Sequence, residues 1–229
     1  MLSIARSLLM LAIVAMFGAV SAPALAKCSD SPGPKTDWSG CEKERLILRG
    51  KDLEGANLSR ADLSKSDLTG IGLKGANLEL ADLSRARLWD ADLREAALVK
   101  TQASRTDFSR ANFEGANLTK SEMPRAIMVE ANLKGVNLAK SELGRAHFTG
   151  ADLTRADFSF SDLGRVDLTE AILVETVFTG AYTYLMQIAG SDLSLAIGLT
   201  QQQIDIACGD ANTKLPDGLT IPADWPCGE

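Results

Sequence analysis

"LEGANLSRADLSKSDLTGIGLKGANLELADL", residues Leu53 to Leu83, carries a leucine at every fifth position. An α-helix turns ~100° per residue, so leucines five apart step roughly 140° round the axis and make no stripe. A strand alternates its faces, so the same spacing sends successive leucines to opposite sides. Neither element buries this pattern. The chain must bend between one leucine and the next.

The phase holds well beyond the quoted stretch. If each large residue is a centre i, centres run unbroken from Leu48 to Phe178, all Leu, Phe or Met except Ala103. Position i−2 is small (Ala56, Ala61, Ser66), i−1 is mostly Asp or Asn (Asp52, Asn57, Asp62), and i+2 is often Gly or a charged residue (Gly55, Arg60, Lys65). Residues i and i−2 are expected inside; i−1, i+1 and i+2 face water. Glycine at i+2 suits the φ > 0 position of a type II turn, and Pro124 at i+1 suits the first central position. Four such bends return the chain to its start, so one coil takes about 20 residues and coils stack ~4.8 Å apart. The fold expected is all-β, a square solenoid.

The run A-[D/N]-[L/F]-x-x, repeated over roughly Leu46 to Leu193, resembles the pentapeptide-repeat family. That resemblance implies a right-handed quadrilateral β-helix, here about seven coils and roughly 30 Å long. It says little about function, because function lives in sites rather than scaffolds. The expected division is a signal peptide at 1–26, an N-terminal cap at 27–45, the β-helix at 46–198, and a C-terminal helix and disulfide cap at 199–229.

The first segment reads as a secretory leader. Arg6 is its positive end, Leu8 to Val20 an apolar core too short to span a membrane, and Ala24-Leu25-Ala26 a small-x-small cleavage site. Export to a bacterial periplasm or beyond follows, with no stable membrane insertion. Four cysteines remain, Cys28, Cys41, Cys208 and Cys227, and they allow three pairings. Bridged Cα atoms lie within ~7 Å, so a solenoid that holds its ends far apart leaves only Cys28–Cys41 and Cys208–Cys227. No Cys-x-x-Cys spacing suggests redox chemistry, and His147 reads as a surface substitute for Asp.

Both ends must cover an exposed core layer and an open hydrogen-bonding edge. Upstream, Trp38 is the large anchor of "CSDSPGPKTDWSGC". Downstream, "GLTQQQIDIACGD" has Thr200 and Gln203 in capping-box spacing and is expected to run as a helix to Gly209. Its tail, with Trp225 as a packing residue, returns through the second disulfide. Ile172, Val174 and Val177, apolar at outward positions, are expected beneath that tail.

Residues 20 apart share a face, and one corner stands out. It reads Lys65, Arg85, Arg105, Arg125, Arg145, Arg165, with Arg60, Lys100, Lys120 and Lys140 on the preceding corner. Between them run Asp62, Asp82, Gln102, Glu122, Glu142 and Asp162. Interleaved charges can relieve repulsion as a solvated network, and the column Asn57, Asn77, Asn117, Asn137 can hydrogen-bond along the stack. The sharper reading is a groove for an anionic ligand: a glycan carboxylate, a phospholipid headgroup or an acidic protein. Trp89, Ile127 and Val129 share another face and form a candidate surface for a protein partner or self-association.

Composition narrows the function. The formal charge of −6 becomes −7 when Arg6 leaves with residues 1–26. Cytoplasmic members of the family mimic DNA and bind type II topoisomerases, so the resemblance carries that reading as an alternative. A basic ladder breaks the negative surface that mimicry needs, and nucleic acid is not an expected partner. The carboxylates stand on a convex surface, without the cleft that acid–base catalysis requires, and no nucleophile, phosphate-loop or metal motif appears. A non-catalytic exported scaffold or protein-binding module, without a cofactor, is the expected function.

Overall fold

The computed structural model describes residues 28–227; the expected leader at 1–26 lies outside the described residues. Parallel bridges join residues 20 apart in an unbroken series from Asp37↔Asn57 to Val177↔Ile197. Between rungs the chain bends every five residues, each bend closed by the i+3 N–H donating to the carbonyl of i: Ala56 to Leu53 (3.0 Å), Ala61 to Leu58 (3.0 Å), Ser66 to Leu63 (3.3 Å), Ile71 to Leu68 (3.1 Å). Four bends and four one-rung sides make each circuit. The result is a four-sided parallel β-helix.

The period of five is what fills the interior. Centres such as Leu58, Leu68, Leu118, Leu133 and Phe158 are completely buried, with alanines at i−2 in the corners. Ala103 leaves the axis short of volume in its coil. Two phenylalanines on the next two sides, Phe108 and Phe113, are fully buried and meet edge to face at 5.1 Å. Where i−2 is a hydroxyl residue it is still buried, and it donates in most cases to a carbonyl of the coil below. Thr101 reaches Leu78 O and Thr106 reaches Leu83 O, both at 2.7 Å. Ser121 donates instead to the Ser141 hydroxyl, and Ser161 to Phe158 O of its own bend. Each buried hydroxyl therefore keeps a partner, and none costs the desolvation of an unmade bond.

Position i+2 has φ > 0 at every kind of residue. Glycines such as Gly135 (φ 63) adopt it freely, but so do Arg85 (60), Arg145 (62), Glu130 (56) and Phe160 (58). A side chain in this region costs about 1–2 kcal/mol. The strain is held by the stack. From Lys35 to Arg165 nearly every i+2 N–H donates to the i+1 carbonyl one coil on, as Arg85 does to Ser104 (3.0 Å) and Arg145 to Gly164 (2.9 Å).

The Asp and Asn at i−1 have a job beyond facing water. Their Oδ1 accepts the N–H two residues on, inside the bend: Asn57 from Ser59 (3.3 Å), Asp82 from Ser84 (2.7 Å), Asn117 from Thr119 (3.1 Å), Asp162 from Gly164 (2.8 Å). This is the Asx turn, and it explains why i−1 is a short acid or amide. It also corrects the expected asparagine ladder. Asn57, Asn77, Asn117 and Asn137 each accept from their own bend. A bond along the stack is found in another column, where Asn132 Nδ2 donates to Asn112 Oδ1 (3.0 Å).

The two ends are tied as the solenoid geometry requires. Cys28 is bonded to Cys41 and Cys208 to Cys227, with Cα separations of 5.6 and 5.4 Å. Trp38 stands in phase with the leucines, fully buried, its Nε1 donating to Asp30 O (3.1 Å). At the far end α1, Gln201–Asp205, opens with the full capping box of Thr200 and Gln203. It stops four residues before the expected Gly209. The physical reason is the open edge. Cys208 N–H donates to Met186 O (2.8 Å) and Ile188 N–H to Cys208 O (2.8 Å), so the chain rejoins the ladder through Gln187↔Cys208.

The tail also lies elsewhere than expected. Trp225 packs on Gly209 and donates to Ala207 O (2.8 Å), beside the second disulfide. Cys208 tethers the tail on the face of Gln187. Ile172 belongs to the column Asp152, Ile172, Asp192, Lys214 on a different face. Ile172 and Val174 are consequently exposed, lining an open hollow with Gly190, Asp192, Ser194 and Leu195.

Candidate functional site

The basic corner is built by the bend itself. Lys65, Arg85, Arg105, Arg125, Arg145 and Arg165 all occupy i+2, all with φ between 57 and 62, at six successive levels. The left-handed residue at a convex corner projects away from the core, and all six are exposed. One coil spacing separates each from the next, ~4.8 Å.

Ion pairing divides the twelve described arginines in a way that their positions in the chain do not announce. Arg45, Arg49, Arg87, Arg94, Arg110 and Arg155 each have a carboxylate within 4.0 Å. The six with none among the described residues are Arg60 and the five arginines of this corner, Arg85, Arg105, Arg125, Arg145 and Arg165. Only Lys65, at its start, meets an acid, Glu44 at 3.3 Å.

Among the described residues no intervening acid lies within 4.0 Å of a corner cation. Asp62, Asp82 and Asp162 give an oxygen to their own bends (2.9, 2.7 and 2.8 Å). Lys100, Lys120 and Lys140, on the preceding corner, are likewise free of ion pairs among the described residues, so cations edge this face on both sides. Acids elsewhere cap their own bend and hold a cation as well. Arg49 holds the Asp67 carboxyl down to about 2, with Thr69 assisting, and Lys214 and Ser194 do the same for Asp192.

Two shallow grooves run along the arginine corner. The first, about 410 Å³, lies among Lys65, Arg85 and Arg105 with Ser64, Ser84 and Ser104 as its floor. The second, about 510 Å³, has Pro124, Gly144 and Gly164 as its floor, Arg125, Arg145 and Arg165 along one side, Asp162 opposite, and Tyr182 and Tyr184 at its end. The tyrosine rings stack 20° from parallel with centroids 6.2 Å apart, and the Arg165 guanidinium lies 6.0 Å from the Tyr184 ring. Sequence reasoning overlooked both tyrosines. The available signal was their place in the i−1 and i+1 columns directly after Asp162 and Gly164.

The apolar candidate surface is less free than its sequence suggests. Trp89 (40 % exposed) lies beneath Arg110, whose guanidinium is 4.8 Å from the ring and forks onto Asp90 at 2.8 and 2.6 Å. Val129 shares a hollow with Trp89, but Asp107, Ser109, Arg110 and Glu130 also line it. Ile127 stands beside it at the edge of exposure. The three residues share a face without forming a continuous apolar patch.

Among the described residues no cluster of three or more His, Cys, Asp or Glu side chains could hold a metal ion. None of the described helices is long and apolar enough to cross a membrane.

Comparison with known proteins bears on the scaffold. A profile of pentapeptide repeats matches residues 44–71, 73–98, 96–135 and 131–169, in eight copies. Among solved structures, full-length QnrB1, a plasmid-mediated fluoroquinolone resistance protein, is 14 % identical over 77 % of this chain and 89 % of its own, with a TM-score of 0.58. HetL of the cyanobacterium Nostoc sp. strain PCC 7120, a pentapeptide repeat protein involved in heterocyst differentiation regulation, is 26 % identical over 82 % and 93 %, with a TM-score of 0.33. A pentapeptide repeat protein of the Arabidopsis thaliana thylakoid lumen is 28 % identical over 51 % and 68 %, with a TM-score of 0.30. No curated protein matched. The likeness to QnrB1 concerns the fold alone.

Proposed function

This chain belongs to the pentapeptide-repeat family, and on that premise we propose that it is an exported, non-catalytic binding scaffold that engages an anionic partner along the arginine corner. One observation carries the reading. Five exposed arginines at consecutive levels lack a carboxylate partner, while six of the other seven described arginines have one. Like charges one coil apart repel, and the solenoid fixes their backbone positions in advance, so that binding has only the side chains left to order. A partner with anions along its length relieves that repulsion, and it gains the bidentate hydrogen bonds a guanidinium offers to carboxylate or phosphate.

Export rests on the leader-like composition of residues 1–26 and on the two cystines, which persist in oxidising compartments. The DNA-mimic alternative has less support, because a corner of six cations runs along one face. The Trp89 surface has less support too, because Arg110 already occupies its ring.

The test is retention on a polyanionic matrix over a salt gradient. Arg105→Glu/Arg125→Glu/Arg145→Glu should elute at markedly lower salt than the parent. Lys74→Glu/Arg94→Glu/Lys134→Glu, an equal charge change in one column of another face, should move far less. Equal shifts for the two triples would mean that net charge alone is read, and the corner would lose its assignment.

A further inference from the structure

The two grooves on the arginine corner differ in what they add to charge, and the difference names a ligand class. The first has a floor of serines and no aromatic residue. The second combines three unlike surfaces within one hollow: arginines on one side, a carboxylate on the other, and stacked tyrosine rings at the end. We propose that this second groove is a subsite for an acidic polysaccharide chain, of the uronate type, lying along the corner. The proposal rests on the anionic-partner reading above and specifies it.

The floor is open by sequence. At i+1 the column reads Ser64, Ser84, Ser104, Pro124, Gly144, Gly164, Tyr184, so side chains vanish over two levels immediately before the tyrosine. Gly144 and Gly164 are absent from the residues with φ > 0, so no backbone conformation demands glycine at either position. A Cβ at Gly144 would meet only ordinary contacts, 3.8 Å to Gly164 O and 4.0 Å to Asp162 Oδ2. At Gly164 it would stand 3.1 Å from Asp162 Oδ1 and 3.4 Å from Tyr182 Cε1, because the carboxylate caps this bend and the ring leans over the glycine. The two glycines thus leave a strip that is open at Gly144 and closed at the Gly164 end by aromatic rings.

Each lining group matches a different part of an acidic sugar. The planar guanidiniums of Arg125, Arg145 and Arg165 suit carboxylates presented at intervals. Asp162, with one oxygen in its bend, keeps another to accept from a hydroxyl. Tyr182 and Tyr184 are 53 % and 44 % exposed and offer flat apolar faces, as the C–H face of a pyranose requires, with phenol groups free to hydrogen-bond. A phosphate chain fits less well. It would bring negative charge against Asp162 and the neighbouring Glu142 without a donor to offer them. A flexible acidic peptide would use the arginines but has no flat ring for the tyrosines.

The experiment is calorimetric titration of the mature, disulfide-bonded protein with a linear tetramer of galacturonic acid. The same tetramer as its methyl ester, tetraglutamate and inorganic phosphate serve as comparison probes. The free-acid tetramer should bind, and its methyl ester should bind at least about tenfold more weakly. Tyr182→Ser/Tyr184→Ser should weaken the tetramer about tenfold or more, on the scale of lost aromatic stacking, while leaving tetraglutamate unchanged. Gly144→Gln, which refills the floor without backbone strain, should weaken the tetramer while the melting temperature stays put. Tetraglutamate binding as tightly as the tetramer, with both indifferent to the tyrosines, overturns the polysaccharide subsite and leaves the anionic-partner reading standing. Phosphate outcompeting the tetramer does the same. No binding by any of the anions overturns both.

Discussion

Arg110 and Arg145 occupy equivalent corners of the same solenoid, and only one of them is held. Their backbones match: φ is 57 and 62, and each N–H donates at 2.9 Å to the carbonyl one coil on, at Val129 and Gly164. Their side chains diverge. Arg110 forks onto Asp90 and covers Trp89; Arg145 meets no carboxylate. What differs is the residue twenty positions earlier, Asp90 for one and Arg125 for the other. The scaffold sets where side chains stand and leaves their chemistry to the column. A corner of alternating sign seals itself, and a corner of one sign remains available.

That comparison presumes a common rigid core, and the largest expected effect tests it. Leu118 is completely buried, and Leu118→Asp would place a carboxylate in the axis. Removing bulk alone at such a site costs about 2–5 kcal/mol, and an unpaired charge adds to it. Asn117→Ser removes only an exposed side chain whose Oδ1 caps Thr119, and a serine can take over part of that bond. Its cost should stay under about 1 kcal/mol. Similar losses of denaturant midpoint for the two would mean that the corners do not hang on one core, and the comparison of Arg110 with Arg145 would have no common reference.

A smaller effect separates backbone from side chain at the corner. Gly135 has φ 63, and a Cβ there would meet nothing within 4 Å. Gly135→Ala should therefore report conformational strain offset only by the lower entropy of the unfolded chain, a net loss of about 1 kcal/mol. Arg145→Gly runs the other way. It relieves a strain of about 1–2 kcal/mol and adds about 0.5–1 kcal/mol of unfolded-state entropy, so thermal unfolding should show no net loss. A clear loss would mean that the Arg145 side chain is stabilised in the free protein after all.

These differences mark where the sequence could be read. The inward layer was legible because only one geometry buries a leucine every fifth residue, and the cystines followed from the length of the resulting stack. Columns of charge were legible too, since residues twenty apart must coincide. Pairing within a column was not. Asp90 stands directly under Arg110 in one column and pairs with it. Asp82 stands in the column beside Arg85 and does not, although an acid in the same kind of bend, Asp67, caps Thr69 and pairs with Arg49 at once. The Asp at i−1 looked like a solvated surface residue, and its Asx turn became visible only with the backbone. The end of α1 was missed for a related reason. Local spacing favours continuing the helix, whereas the open edge at Met186 and Ile188 draws Cys208 into the ladder.

The smallest expected effect bears on the comparison most directly. Arg110→Ala removes both the fork onto Asp90 and the cover over Trp89, so it should lower the unfolding midpoint at neutral pH. Arg145→Ala removes no partnered group and should leave that midpoint where it is. Exposed pairs contribute little, so the gap is small and should shrink with added salt. Acid separates its two sources. The Arg110 hydrogen bond, opposed by some desolvation, lowers the Asp90 carboxyl below its ordinary value near 4. A depressed carboxylate adds stability that is fully present above the unfolded-state value and fades as pH falls through the lower folded value. Between neutral pH and pH 5 the gap between the variants should therefore hold. Below pH 4 it should narrow, and whatever remains belongs to the guanidinium on the Trp89 ring, which does not titrate. Trp89→Ser in the Arg110→Ala background should then change nothing further at low pH beyond the loss of the indole's own contacts. A gap that stays constant from pH 7 to the acid limit would remove Asp90 from the account. No gap at any pH would mean that the two corners are equally free, and that an unpaired arginine column distinguishes no surface of this protein.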